Sequence, residues 1–124
     1  MAIKAHDTID TLNIPGLSHQ TLAGAKDGLK GFEIWRQTIE AGGETPLHKH
    51  DCEEVIVILE GEGACVVEGD TQTFRADQSV IVEPNVVHKI CNTGSGPLRL
   101  MATLAMAPVR VETPDGEAMA LPWD

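Results

Sequence analysis

One stretch decides how the chain folds, and it reads Gly42-Gly43-Glu44-Thr45-Pro46-Leu47-His48-Lys49-His50-Asp51-Cys52-Glu53-Glu54. It runs directly into the apolar segment 55–59. Side chains of an extended strand alternate between its two faces, so residues of equal parity share a face. His48, His50 and Glu54 are all even-numbered. If the stretch is extended, all three project from one face, which is the arrangement that a divalent metal needs.

Length, composition and charge limit the possible classes of protein. The 124 residues suit one domain with one modest core, and 42% hydrophobic with 23% charged residues is ordinary for a globular protein. The net charge of −10 would repel nucleic acid and anionic membrane surfaces, so we expect neither as a partner. The first residues lack the apolar core of a signal peptide, and no run approaches the ~20 apolar residues that span a bilayer. Because three cysteines do not suggest a disulfide framework, we expect a cytoplasmic protein.

Turn signals recur at short intervals along the chain, and no segment shows helical periodicity over three turns. This pattern predicts an all-β sandwich or barrel. Gly69-Asp70 marks a tight hairpin, and Ile14-Pro15-Gly16 and Pro114-Asp115-Gly116 mark turns. Residues 23–30 are expected to form a connection. The predicted strands cover residues 7–12, 17–22, 32–39, 55–59, 64–68, 71–75, 79–82, 86–91 and 98–106.

We expect a single domain over residues 1–124, with its barrel core at about 30–107, N-terminal strands in 1–29 and a C-terminal extension in 108–124. Trp123 is one of only two tryptophans in the chain, and we expect it to dock over a neighbouring sheet or across a subunit boundary. The segment 55–59 is apolar on both strand faces, so its outer face needs a cover from the terminal strands or from another subunit. We predict a homodimer.

The opening stretch resembles the first sequence motif of the cupin family. Gly42, five residues, His48, one residue, His50, three residues, Glu54, six residues, Gly61 fits that motif residue for residue. The stretch covers the more specific of the two motifs by which cupins are known.

The second cupin motif reads Gly, five residues, Pro, one residue, Gly, two residues, His, three residues, Asn. The corresponding positions here hold Asp77, Glu83, Asn85, His88 and Asn92. The histidine and the asparagine are present, whereas both glycines and the proline are replaced. Asn tolerates positive φ better than most residues, and Asp is a common turn residue, so these replacements are mild.

The resemblance implies a double-stranded β-helix, or jelly-roll barrel, of the small single-domain cupin type. It also implies one divalent transition metal, ligated by His48, His50, Glu54 and His88. Three nitrogens and one oxygen suit Fe, Mn, Ni, Co or Zn and make Ca or Mg unsuitable. An octahedral ion would keep two adjacent positions open for water, dioxygen or a bidentate substrate, and a zinc ion could keep one.

Residues 45–55 are also similar to the metal-binding box of plant auxin-binding proteins, which are cupins. In those proteins a metal holds the carboxylate of an aromatic acid, and a C-terminal tryptophan contributes to the pocket region. The resemblance implies a carboxylate or other anionic small ligand, with Trp123 in a comparable position.

Three functional hypotheses remain open on the sequence. The first is a metal-dependent enzyme that acts on a small oxygenated or carboxylate-bearing molecule, as a dioxygenase, isomerase or lyase. The second is a non-catalytic, metal-dependent binding protein for such a ligand, and the third is a cupin whose metal is structural. A positioned acid or base would favour the enzyme, but Glu53 and Glu83 are not placed in the cavity by parity, so no catalytic residue is assigned. The chain has no tyrosine, which disfavours chemistry that uses one as acid or base.

The remaining polar and sulfur-containing residues have simpler expectations. Cys52 shares the ligand parity and is expected to be a small packing residue, with a reactive or ligating thiol as the alternative. Cys65 and Cys91 are expected to be inert. His6 and His19 are expected to be solvated. Four residues on strands are candidates to line the cavity: Arg36, Gln37, Met101 and Thr103.

Overall fold

The computed structural model describes residues 1–123. Within them the chain is almost entirely β-structure, which confirms the all-β prediction, with two short 3-10 helices at His6–Thr8 and Ala25–Asp27. The strands are β1 Leu12–Ile14, β2 Leu17–Ala23, β3 Glu33–Ile39, β4 Glu54–Glu60, β5 Glu62–Val67, β6 Asp70–Arg75, β7 Ser79–Val82, β8 His88–Asn92, β9 Leu98–Leu104, β10 Val111–Glu112 and β11 Ala118–Met119. No helix in the described part of the chain is long and apolar enough to cross a membrane.

Two antiparallel sheets enclose the core. The larger has the strand order β1-β2-β3-β9-β4-β7, the smaller the order β6-β5-β8, and β10 pairs with β11 in a separate hairpin. The side chains of Ile39, Ile58, Leu98, Leu100 and Leu104 are almost fully buried in the core. Burying an aliphatic side chain of this size contributes roughly 1.5–3 kcal/mol, so these strands hold the sandwich together.

Strand β4 has the two-sided character that its sequence predicts. Ile56 and Ile58 are buried in the core, whereas Val55, Val57 and Leu59 are exposed on the opposite face. Val55 lies beside Ile81 of β7, which is 75% exposed. The outer face of this sheet therefore carries a contiguous apolar patch within the described chain.

Two loops contain a residue in the left-handed backbone conformation, at positions where the second cupin motif has glycine. Asp77 has φ 67° and Asn85 has φ 66°, at the two positions where the second motif has glycine. Asn and Asp are enriched among the non-glycine residues that occupy this region, so the loop shape survives both replacements. Gly61, the last glycine of the first motif, has φ +92°, and a Cβ there would lie 2.5 Å from the Pro97 carbonyl oxygen.

The prediction of an edge strand at residues 7–12 is wrong. A 3-10 helix forms at His6–Thr8 because both the amide and the hydroxyl of Thr8 donate to the Ala5 carbonyl, at 3.0 and 2.7 Å. Such local side-chain bonds compete with strand pairing. Strand β1 begins only at Leu12 and turns at Pro15-Gly16, as the turn signal predicts.

Three further boundaries differ from the prediction. The connection 23–30 contains a 3-10 helix in which the Asp27 carboxylate accepts from the Gly24 amide. The hairpin between β5 and β6 turns at Glu68-Gly69, one residue before the predicted pair. The C-terminal extension contains the hairpin β10–β11 around the predicted turn at 114–116. These strands were not predicted because two residues are too few to show an alternation of polarity. Asp124 lies outside the described residues.

Candidate functional site

Residues 42–54 are not extended throughout, so the condition attached to the parity argument is not met along the whole stretch, although its side chains do converge. His48 pairs with His88 through two backbone hydrogen bonds of 3.0 and 2.9 Å, and Lys49 pairs with Glu112. The chain then bends at residues 51–52, and β4 begins at Glu54. The pairing with two distant segments and the bend, rather than a continuous strand, set the directions of these side chains.

The four residues implied as ligands by the cupin resemblance lie together at one end of the sandwich. The ring centroids of His48 and His88 are 4.4 Å apart, and those of His48 and His50 are 5.0 Å apart. Glu54 Oε1 lies 3.2 Å from His88 Nε2 and 3.9 Å from His50 Nε2. His50, Glu54 and His88 are buried and His48 is half-buried, so the cluster is largely removed from bulk water.

Backbone carbonyls fix the tautomers of the three imidazoles. The Nδ1 atoms of His48, His50 and His88 lie 2.7, 2.8 and 2.8 Å from the carbonyl oxygens of Pro46, Arg110 and Val86 respectively. A carbonyl oxygen only accepts, so each Nδ1 carries the proton, and in a neutral ring Nε2 is left with a free lone pair. Metal-ligating histidines are oriented by hydrogen bonds of this kind.

Two buried atoms of the cluster lack a hydrogen-bond partner. Within residues 1–123, neither Glu54 Oε1 nor His88 Nε2 forms a hydrogen bond, although the two atoms face each other at 3.2 Å. With Nδ1 protonated and the ring neutral, both atoms are acceptors, and an unpaired buried acceptor costs about 1–3 kcal/mol. A cation between the two atoms would remove that cost, and without a metal a proton on His88 Nε2, which the raised pKa of His88 favours, would do the same.

The donor set of three imidazole nitrogens and one carboxylate suits a divalent transition metal. No group of three or more His, Cys, Asp or Glu side chains in residues 1–123 has the spacing to hold a metal ion as it stands. The fit therefore rests on the donor types, on the fixed tautomers and on the unpaired buried atoms.

The local electrostatic environment shifts the pKa values of His48 and His88 in opposite directions. Burial is the largest cause that lowers the pKa of His48 to about 4, and the neighbouring His88 adds to it, against the raising effects of the Pro46 carbonyl and Glu54. For His88, burial acts to lower the pKa, but Glu54 and the Val86 carbonyl outweigh it and raise the pKa above its ordinary value. His48 is thus held as a neutral imidazole, the form that binds metals.

A cavity of about 210 Å³ opens onto the four side chains, and its walls are mainly apolar. Strands of the large sheet contribute Trp35, Ile56 and Leu100, and the C-terminal extension contributes Pro122 and Trp123. An apolar cavity with a few convergent polar groups is the usual form of a small-molecule site.

Trp123 docks within its own chain, which confirms the expectation that it covers a neighbouring sheet. Its ring stacks on His19 with centroids 3.6 Å apart and planes 10° from parallel, and it meets Trp35 edge-on at 5.2 Å. The expectation that His19 is solvated is wrong, because the residue is only 2% exposed. Burial lowers the pKa of His19 to about 3. Its shared parity with Leu17, also buried, was the sequence signal for the inward direction.

Of the four candidate cavity residues, only Gln37 lines the cavity. Arg36 lies on the outer face of β3, where its guanidinium donates to Gln20 Oε1 at 2.6 and 3.1 Å. Met101 and Thr103 point outward from β9, because its even-numbered residues face the core. The expectation is therefore wrong for these three residues.

The two candidate carboxylates and the three cysteines do not line the cavity. Glu53 and Glu83 are exposed, and so is His6, as expected. The three cysteines are free thiols, and burial raises the pKa of each of them. Cys52 is 8% exposed and belongs to the core, which agrees with a packing role.

The Cupin domain family matches residues 35–104, more than half of the chain, and the chain belongs to that family. It is 35% identical over 112 residues to Auxin-binding protein 1 of Arabidopsis thaliana, with 82% of this chain and 57% of that protein covered. The chain spans about half the length of the auxin-binding relatives that it matches.

Solved structures share the fold. The polyketide cyclase RemF from Streptomyces resistomycificus superposes with a TM-score of 0.73 at 20% identity, over 100% of this chain and 89% of that one. A Thermotoga maritima protein described as a predicted oxalate decarboxylase gives 0.75 at 23% identity, over 85% and 99%. At these identities the likeness establishes the double-stranded β-helix alone.

Proposed function

We propose that this cupin holds one divalent transition metal through His48, His50, Glu54 and His88, and that it uses the site to bind a small carboxylate-bearing molecule. The observation that carries the proposal is the set of three fixed imidazole tautomers around two unpaired, buried acceptor atoms. When bound, the metal would supply a concentrated positive charge for an anionic group. Fe, Mn, Ni, Co and Zn all fit this donor set.

The cavity supports a ligand with an apolar body. Its volume of about 210 Å³ is near the space of roughly seven water molecules, and lies below the ~300–1,000 Å³ of most ligand pockets. The chain carries a net charge of −10, so its overall field does not attract an anion, and a local cation is needed to hold a carboxylate. Trp35 and Trp123 offer aromatic surface for the rest of the ligand. A small aromatic carboxylic acid meets these conditions, and the names of the auxin-binding relatives agree with that class.

The geometry favours binding over the isomerase and lyase alternatives, which need a positioned acid or base, whereas a dioxygenase needs none and stays the enzymatic alternative. Among the described residues that line the cavity, the only histidines and carboxylates are the four proposed ligands. The two other candidate carboxylates, Glu53 and Glu83, are exposed outside it. Residues 1–123 thus offer no separate histidine or carboxylate in this cavity to move a proton to or from a substrate.

Metal analysis and calorimetry test the proposal together. Protein purified without chelators should carry about one metal ion per chain, whereas the variant H48A/H50A/H88A should carry almost none. His6→Ala is the matched control, because His6 is exposed and outside the cluster. Indole-3-acetate should bind the zinc-loaded protein and fail to bind after chelation, and its methyl ester should bind weakly in both states. Equal metal content in the triple variant and the control would refute the site.

We also propose that two copies associate through the outer face of β4 and β7. Val55, Val57, Leu59 and Ile81 are between 38% and 75% exposed there, and no described part of the same chain covers them. The three free cysteines support a reducing compartment, and we propose the cytoplasm.

A further inference from the structure

Two buried polar residues of the cavity region are not used by the proposed metal site. His19 on β2 and Gln37 on β3 lie directly opposite each other in the strand pairing. They are 2% and 8% exposed, so both side chains must satisfy their hydrogen bonds inside the protein. Both lie outside the first cupin motif, and neither is a proposed ligand.

His19, Gln37 and Thr21 form a chain of hydrogen bonds with a defined direction. Gln37 Nε2 lies 3.0 Å from His19 Nδ1, and His19 Nε2 lies 2.8 Å from Thr21 Oγ1. An amide nitrogen only donates, so His19 Nδ1 must accept from it. The neutral ring then carries its proton on Nε2 and donates to the Thr21 hydroxyl. The pKa of His19, lowered to about 3, keeps the ring neutral at ordinary pH.

The imidazole is also held in place by aromatic contacts. Trp123 stacks on one face at 3.6 Å, and Trp35 meets the ring edge-on at 5.1 Å. Rotating the imidazole would break both hydrogen bonds as well as the fit against these rings. The acceptor nitrogen is therefore kept directed at Gln37.

This arrangement leaves the oxygen as the free end of the Gln37 amide. Gln37 lines the same cavity as the proposed metal ligands, and its nitrogen is engaged by His19. Within residues 1–123, no group donates to Gln37 Oε1, and this oxygen is not among the fully buried unpaired atoms. The cavity wall thus presents a carbonyl-type acceptor in otherwise mainly apolar surroundings.

We propose that His19 is a positioning residue that sets ligand specificity by holding the Gln37 oxygen toward the cavity, so that the site selects aromatic carboxylic acids that carry an N–H or O–H donor on their apolar body. This inference rests on the proposed carboxylate-binding function. A ligand without the donor leaves Gln37 Oε1 desolvated and unpaired, and sites built to hydrogen-bond a ligand group discriminate strongly against analogues that lack it.

The test compares two acids of nearly the same shape. Indole-3-acetate has a ring N–H, and benzothiophene-3-acetate has sulfur at that place. Zinc-loaded wild-type protein should prefer the indole acid by roughly 5- to 10-fold in Kd, the effect of about one hydrogen bond. In His19→Leu the Gln37 amide is released, and the preference should fall to about 2-fold or less. His19→Asn places an amide oxygen near the position of Nδ1, and should restore the preference.

A second measurement does not depend on a ligand. Long-range ¹H–¹⁵N spectra of the protein should show His19 in the tautomer protonated at Nε2. A proton on Nδ1, or an undiminished preference in a folded His19→Leu variant, would overturn the inference. If the tautomer is as expected but neither acid binds zinc-loaded wild-type protein, the carboxylate-binding function has failed and the specificity role fails with it. If both acids bind equally well to wild-type protein, only the role of His19 and Gln37 has failed.

Discussion

The burial of His19 makes the stability of the protein depend on pH in a way that can be calculated. The folded protein holds the pKa of His19 at about 3, whereas the free side chain titrates near 6.5. As the pH falls below 6.5, the unfolded chain takes up a proton that the folded chain refuses until about pH 3. The contribution of His19 to the free energy of unfolding is therefore fully present above pH 6.5. It is lost progressively between pH 6.5 and about pH 3, by up to ~1.4 kcal/mol per pH unit.

Lowering the pH from about 8 to about 5 should cost about 2 kcal/mol through His19 alone. For a domain of this length, about 2 kcal/mol corresponds to a fall of roughly 8 °C in Tm. His19→Asn preserves a polar partner for Gln37 but does not titrate, so the variant should lack this part of the pH dependence.

The assay is urea unfolding of both proteins at several pH values, in the presence of a chelator. His48, with a lowered pKa, and His88, with a raised one, contribute slopes of opposite sign, but they do so in both proteins. The wild-type free energy of unfolding should fall by about 2 kcal/mol more than that of His19→Asn over this range. Parallel curves for the two proteins would refute the argument that His19 is buried as a neutral ring.

Two further predictions concern the backbone and the outer face. Gly61→Ala should lower the free energy of unfolding by more than ~2 kcal/mol, because a Cβ would lie 2.5 Å from the Pro97 carbonyl oxygen at a φ of +92°. Gly69→Ala is the matched control, since Gly69 has φ +75° but open space around it, and it should cost about 1 kcal/mol. Equal losses of unfolding free energy for the two variants in urea would contradict the close approach at Gly61. Val57→Lys should shift the proposed dimer to monomer in sedimentation at micromolar concentration. Glu53→Lys adds the same residue at an exposed position outside the patch and should leave the dimer intact. A wild-type protein that is already monomeric would contradict the dimer.

Strand alternation and loop chemistry predicted much of this fold because both are local. The alternation of β4 depends only on the polarity of neighbouring residues, and Ile56 and Ile58 are buried as it indicates. The positive φ of Asp77 and Asn85 follows from residue type at two motif positions. The inward direction of His19 follows from its parity with Leu17, but its hydrogen bond with Gln37 could not be predicted because it depends on the pairing of β2 with β3, which brings together two residues 18 apart in the chain. The bridges of His48 with His88 and of Lys49 with Glu112 could not be predicted because they join segments that are distant in the chain.

The segments that flank the matched cupin region complete the candidate site. The family match covers residues 35–104 and includes all four proposed ligands. The carbonyl that fixes the His50 tautomer belongs to Arg110, however, and the ring that lines the cavity and stacks on His19 belongs to Trp123. These residues lie outside the matched region, so proteins that share this core but differ in their flanking segments would present different cavities. Under the proposed function, the core of this protein would hold the carboxylate, and residues 17–23 and 110–123, together with Gln37, would select the rest of the ligand.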